Sequence, residues 1–152
     1  MLRATAAVVA GYITMVVWVM VTLTIAWVAV GPSFAFQDGT VNVTAGWLAI
    51  NLPLGLVGAI FGGFITAWVG RSWGPVKALM VVIVVVSVLS MLVQGSKPEV
   101  PADLDLSSLE AASYAQQPGW YAVVVALVGV VGVYLGGGLR LRPGKASEVT
   151  PE

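Results

Sequence analysis

The chain has 152 residues, 59% hydrophobic and only 9% charged, and its seven basic and seven acidic side chains balance to zero net charge. A soluble domain carries about 25% charge, so lipid must be the solvent for much of this chain, and the zero balance argues against a nucleic-acid partner. Histidine and cysteine are both absent, which removes disulfides, thiolate nucleophiles, imidazole acid–base catalysis, axial histidine haem ligation, and thiolate or imidazole metal sites.

Residues 4–30 are uncharged and overwhelmingly apolar, bounded by Arg3 and by Gly31-Pro32. As a helix at about 1.5 Å per residue they reach roughly 40 Å, more than the roughly 30 Å hydrocarbon core, so the span tilts or protrudes. A signal peptide is the competing reading, but its apolar region runs only about 7–15 residues. The second span covers 47–69, where Asn51 and Pro53 predict a kink near its start. The third covers 75–93. Its β-branched run at 81–86 would read as a strand in water, yet about 19 apolar residues in succession make a membrane helix. Before the fourth span, 118–139, the sequence Ser107-Ser108-Leu109-Glu110 offers a capping box. It predicts a short loop helix over 108–116, ended by Pro118. The tail 143–152 is polar and reads as disordered. The predicted fold is all-α: one membrane domain over 1–142, an antiparallel four-helix transmembrane bundle.

Basic residues orient it. Arg3, Arg71, Lys77, Arg140, Arg142 and Lys145 fall on one side and only Lys97 on the other. The positive-inside rule then puts both termini in the cytoplasm, as in a multi-pass inner-membrane protein. Asp38, Glu99, Asp103, Asp105 and Glu110 lie outside. Trp27, Trp47, Trp120 and Tyr121 mark the outer boundary, and Trp68 and Trp73 the inner one.

Glycines pattern the second and fourth spans. Gly55, Gly58, Gly62 and Gly63 match Gly129, Gly132, Gly136 and Gly137 at a constant offset of 74 residues, a spacing that suggests a parallel internal repeat. Gly55, Gly58 and Gly62 fall on one helical face, as do Gly129, Gly132 and Gly136. Lipid gives helices no hydrophobic reason to associate, so close backbone approach along such stripes is the expected adhesive. Gly11, Thr14, Trp18 and Thr22 share a face of the first span, with Trp18 expected beside a glycine groove.

No Asp, Glu, Lys or Arg falls deep within a predicted span, and Lys77 sits at the end of its own. Proton relays and ion-coupled carriers place charges inside the membrane. Small four-helix multidrug exporters rely on an embedded carboxylate, and quinone-linked four-helix enzymes on cysteine or histidine; neither set is present. Serine and threonine in a membrane helix usually return their hydroxyls to the preceding turn. Asn51 is the exception to watch: it is expected to bond across helices, at about 0.6–2 kcal/mol, with a ligand site as the alternative. Asp103 and Asp105 could hold Ca²⁺ if extended, but two carboxylates without an EF-hand loop are a poor metal signal. No catalytic, cofactor or metal residue is predicted.

The opening Val8-Val9-Ala10-Gly11-Tyr12, the pair Gly62-Gly63 with Arg71 after it, the Gln117-Pro118-Gly119-Trp120 stretch and the glycine-rich last span before Arg140 carry a resemblance. The layout resembles small uncharacterised bacterial four-span inner-membrane proteins; it implies the topology and carries over no function. The expected role is a non-catalytic interaction or structural subunit, associating with itself or a membrane partner through glycine faces or the acidic outer loop. The alternative is an oligomeric permease or channel for a neutral or lipid-like solute, with a lumen lined by Asn51 and Thr66. A cytoplasm-specific reporter fused after Lys145 should be active, and one that works only outside should be silent; the reverse pattern overturns the orientation.

Overall fold

A computed structural model describes residues 2–37, 40–94 and 114–141. The capping box, the acidic pair Asp103 and Asp105, the first part of the predicted loop helix, and the tail lie outside them. Among the described residues there are five helices: α1 (Leu2–Val30), α2 (Pro32–Ala35), α3 (Ala45–Gly70), α4 (Trp73–Gln94) and α5 (Gly119–Leu141). The four long ones are each long and apolar enough to cross a membrane. They form an all-α bundle in which α1 begins and α5 ends on one face, here the terminal face. The segments 31–44 and 114–118 lie at the opposite, loop face.

Local chemistry sets the helix ends. Gly31 has φ 76° and ψ 166°, a combination essentially open only to glycine, and with Pro32 it ends α1. Thr44 caps α3: its hydroxyl accepts from the Trp47 N–H at 3.1 Å and donates to the Phe34 carbonyl at 2.6 Å. At the other end Arg71 turns left-handed, φ 54°, and its N–H closes on the Ala67 carbonyl at 2.8 Å. The helix runs on through Pro53. Pro75 falls in the first turn of α4, where a missing N–H costs little.

Helix α3 is the centre of the assembly, packed against α1 on one side and α5 on the other, while α4 lies mainly along α5. These contacts bring backbones together. A Cβ at Gly62 would stand 2.9 Å from the Gly11 carbonyl, and one at Gly11 would stand 2.7 Å from the Gly62 carbonyl. Across the other face of α3, a Cβ at Gly63 would meet the Val133 backbone, and one at Gly136 would meet the backbone of Ile60 and Phe64. Gly132 faces Ala59 and the Leu56 carbonyl. Gly58 admits the Trp18 ring, whose N–H donates to the Leu54 carbonyl at 3.1 Å and which packs on Phe61 at 4.9 Å between centroids. Buried Val76, Leu79 and Val133 fill the remaining space towards the terminal face. Arg3 ties α1 to the end of α3 by donating to the Val69 carbonyl at 2.9 Å.

The 74-residue offset does not correspond to equivalent contacts. Gly58 and Gly62 meet α1, the helix preceding α3, whereas Gly132 and Gly136 meet α3 rather than α4. Gly129 and Gly137 are the two that meet α4, at Ile83 and at Val76 and Trp73, and Gly55 meets nothing within 4 Å.

Leucine at Gly58 or Gly132 should therefore destabilise the bundle by more than the roughly 1–3 kcal/mol of ordinary overpacking. Leucine at Gly55 should not. Thermal melting of the three variants in one detergent checks this, and equal melting temperatures would refute the packing scheme.

Candidate functional site

The close packing towards the terminal face does not continue to the loop face. The loop-face half of α4 is the least covered part of the bundle: from residue 84 to 93 every side chain but Ser87 is exposed. The buried cluster at that end is built from α1, α3, α5 and the loop segment, namely Trp27, Ala35, Phe36, Val43, Trp47, Leu48 and Tyr121, without α4. Trp27 meets Phe36 and Trp47 edge to face, at 5.5 and 5.7 Å between centroids, a favoured geometry for aromatic pairs.

The loop segment is folded onto this cluster. Phe36 and Val43 pair in antiparallel fashion, and Asn42 pairs with Gln116. The Gln37 N–H donates to the Asn42 carbonyl, the Val43 N–H to that of Gln116, and the Gln116 N–H to that of Val41. Gln116, placed in a loop helix by its sequence, is instead part of this cap. The reason is local: the cap satisfies backbone groups that would otherwise lie unpaired near lipid.

Between the splayed helices and the cap lies a cavity of about 660 Å³, within the roughly 300–1,000 Å³ range of small-molecule sites. All four long helices line it. Its floor is apolar, with Met15, Val19, Ile83 and Val128, and both Gly55 and Gly129 open onto it. Its polar lining includes Thr24, Asn51, Ser87, Ser90 and Tyr121. Among the described residues no Asp, Glu, Lys or Arg lines it, and no three metal-ligating side chains gather.

The candidate residues distribute unevenly over this geometry. Gly58, Gly62, Gly132 and Gly136 sit at helix contacts, Gly129 at a contact bordering the cavity, and Gly55 in the cavity wall. Thr66 is buried and donates to the Gly62 carbonyl at 2.8 Å, away from the cavity, so it shares no lumen with Asn51. Thr14, Thr22 and Thr24 likewise bond the preceding turn, at 2.7–2.8 Å. Asn51 departs from the expected interhelical bond: its Oδ1 is buried and has no partner. Ser87 and Ser90 depart from the general expectation for membrane-helix hydroxyls: neither makes a side-chain hydrogen bond among the described residues. Their i, i+3 spacing, which puts both on one face of an otherwise apolar stretch, was the available signal.

No known protein family matches the sequence, and neither a characterised protein nor a solved structure does. The site must therefore be read from its own chemistry.

A buried acceptor without a donor costs about 1–3 kcal/mol. Removing it should release that cost rather than incur the loss of roughly 1 kcal/mol expected for an interhelical bond. Asn51→Leu is predicted to melt at or above the wild-type temperature. A clear drop in a thermal-shift assay would show that Asn51 has a structural partner.

Proposed function

We propose that this is a non-catalytic integral membrane protein of the cell inner membrane, termini in the cytoplasm, that works by taking an uncharged, lipid-like molecule into the outer half of its bundle. The carrying observation is the cavity itself, formed between the helices of one chain, capped on the loop face, open along α4 and lined by Asn51, Ser87 and Ser90 over an apolar floor. A protein in lipid has little reason to leave such a space between its own helices, because close packing is its main adhesive.

The geometry favours this over a subunit joined to partners by glycine stripes, since most of those glycines are already spent on contacts within the chain. It also favours a holding site over an open pore. The half towards the terminal face is closed by the backbone contacts of Gly11, Gly62, Gly63 and Gly136, so passage across the membrane would require that half to come apart. Chemistry on the guest has no support in the described lining, which offers hydroxyls and the Asn51 and Gln117 amides but no carboxylate or amine. The lipid bilayer is then both solvent and source for the guest.

Native mass spectrometry of protein released from its own membrane should show a bound small molecule. Gly55→Trp, which fills the cavity from a position where an added Cβ meets nothing within 4 Å, should lose it while melting normally. Val81→Trp, on an exposed face of α4, should keep it. Detection of apoprotein alone, or a guest indifferent to Gly55→Trp, would reject the proposal.

A further inference from the structure

Four of the cavity's polar side chains lie at one depth, with Gln117 and Tyr121 nearer the loop face. Thr24 is six residues from the end of α1, Asn51 six from the start of α3, and Ser90 and Ser87 four and seven from the end of α4. At about 1.5 Å per residue this is a band roughly 6–10 Å below the loop-face ends of the helices. Met15, Val19, Ile83, Val128 and the two glycines lie deeper. The cavity thus carries a polar belt above its apolar floor, and beyond that belt, at the loop face, Trp27, Phe36, Val43 and Trp47 line it again.

Three of the polar groups have unused capacity. Asn51 Oδ1 is a buried acceptor without a donor, and the Ser87 and Ser90 hydroxyls can each donate and accept. A guest head that both donates and accepts can bond the two serines, and it reaches the Asn51 Oδ1, which is sealed from water, once the amide turns towards the cavity. A charged head would be stripped of water with no opposite charge to meet among the described residues of the lining, at a cost far above that of a neutral polar group. The guest is therefore uncharged and carries a hydroxyl or amide N–H above an apolar body.

We infer that the cavity binds a neutral, single-bodied amphiphile with a hydroxyl- or amide-bearing head, held by Asn51 and by Ser87 and Ser90, with its apolar part pointing to the bilayer centre. This rests on the function proposed above and names its ligand class and pose. The orientation matches that of an amphiphile already resident in the outer leaflet, so entry needs no inversion. The route is lateral, along the outer half of α4, where the helix is exposed from residue 84 to 93 apart from Ser87 and leaves the flank of the cavity facing acyl chains.

The probe is a monoacylglycerol with a photoreactive group in its chain, crosslinked to the full-length protein in nanodiscs. It should mark cavity residues, and a fatty amide of equal length should compete while the matching alkane and the ionised fatty acid should not. Asn51→Leu and the Ser87→Ala/Ser90→Ala double variant should each weaken labelling about tenfold, as expected for loss of one hydrogen bond. Gly55→Trp, with Gly55→Leu as the milder variant should the first fail to fold, should abolish it. If the alkane competes as well as the amide and the collar variants label normally, the polar recognition is wrong although the cavity still takes a guest. Equal competition by the ionised fatty acid would overturn the neutral head. Labelling unchanged in Gly55→Leu, with normal melting, would place the probe on the lipid-facing surface and remove both the inference and the function on which it rests.

Discussion

Everything in this molecule depends on how closely α3 can approach its two neighbours. In lipid an exposed leucine is as comfortable as a buried one, so the hydrophobic effect that assembles soluble bundles is missing. What remains is van der Waals contact, weak per atom pair and large only when many pairs come close. Glycine supplies this by removing the side chain between two backbones. Gly11 against Gly62, Gly63 against Val133, and Gly136 against Ile60 and Phe64 are such contacts, and they fix the half of the bundle towards the terminal face.

The loop-face half follows from a change in residue size. Where the terminal-face half places glycine at the crossings, the other end places Trp27, Phe36, Trp47 and Tyr121. Large rings packed edge to face hold helix ends apart while still filling the interface between α1, α3 and the cap. Helices held close at one end and spaced at the other must diverge. The cavity lies in that divergence, and α4, absent from the aromatic cluster, leaves its flank uncovered.

Much of the frame was legible in the sequence. Uninterrupted apolar length identified the four spans, starting within a few residues of the helices that form, because backbone satisfaction in lipid leaves a long apolar segment little choice but helix. Glycine spacing located the crossings of α3 and α5 but not their partners, since a stripe says that something comes close and not which helix it is. The cap was missed: Gln116 lies far in sequence from Phe36 and Val43, and its pairing with the segment between them is a tertiary event without periodicity. Asn51 drew attention for the right chemistry, an amide in lipid, but whether a partner stands opposite depends on the splay of helices that contribute no local signal. Ser87 and Ser90 were passed over because most hydroxyls in membrane helices bond their own backbone, as Thr14, Thr22, Thr24 and Thr66 do.

Gly55 shows why composition alone could not separate packing from function. It belongs to the same stripe as Gly58 and Gly62 and has the same missing side chain. At Gly58 the absence is filled by Trp18, and at Gly62 by the Met15 side chain and the Gly11 carbonyl of α1; at Gly55 nothing fills it. The three positions lie within two turns of one helix, across the level at which α3 and its neighbours begin to diverge. Below that level a missing Cβ becomes contact, and above it the same omission becomes volume. A sequence of this kind therefore encodes its cavity by the position of its glycines relative to the aromatic spacers, and an unpaired amide retained beside that volume is a stability cost that close packing alone would have no reason to keep.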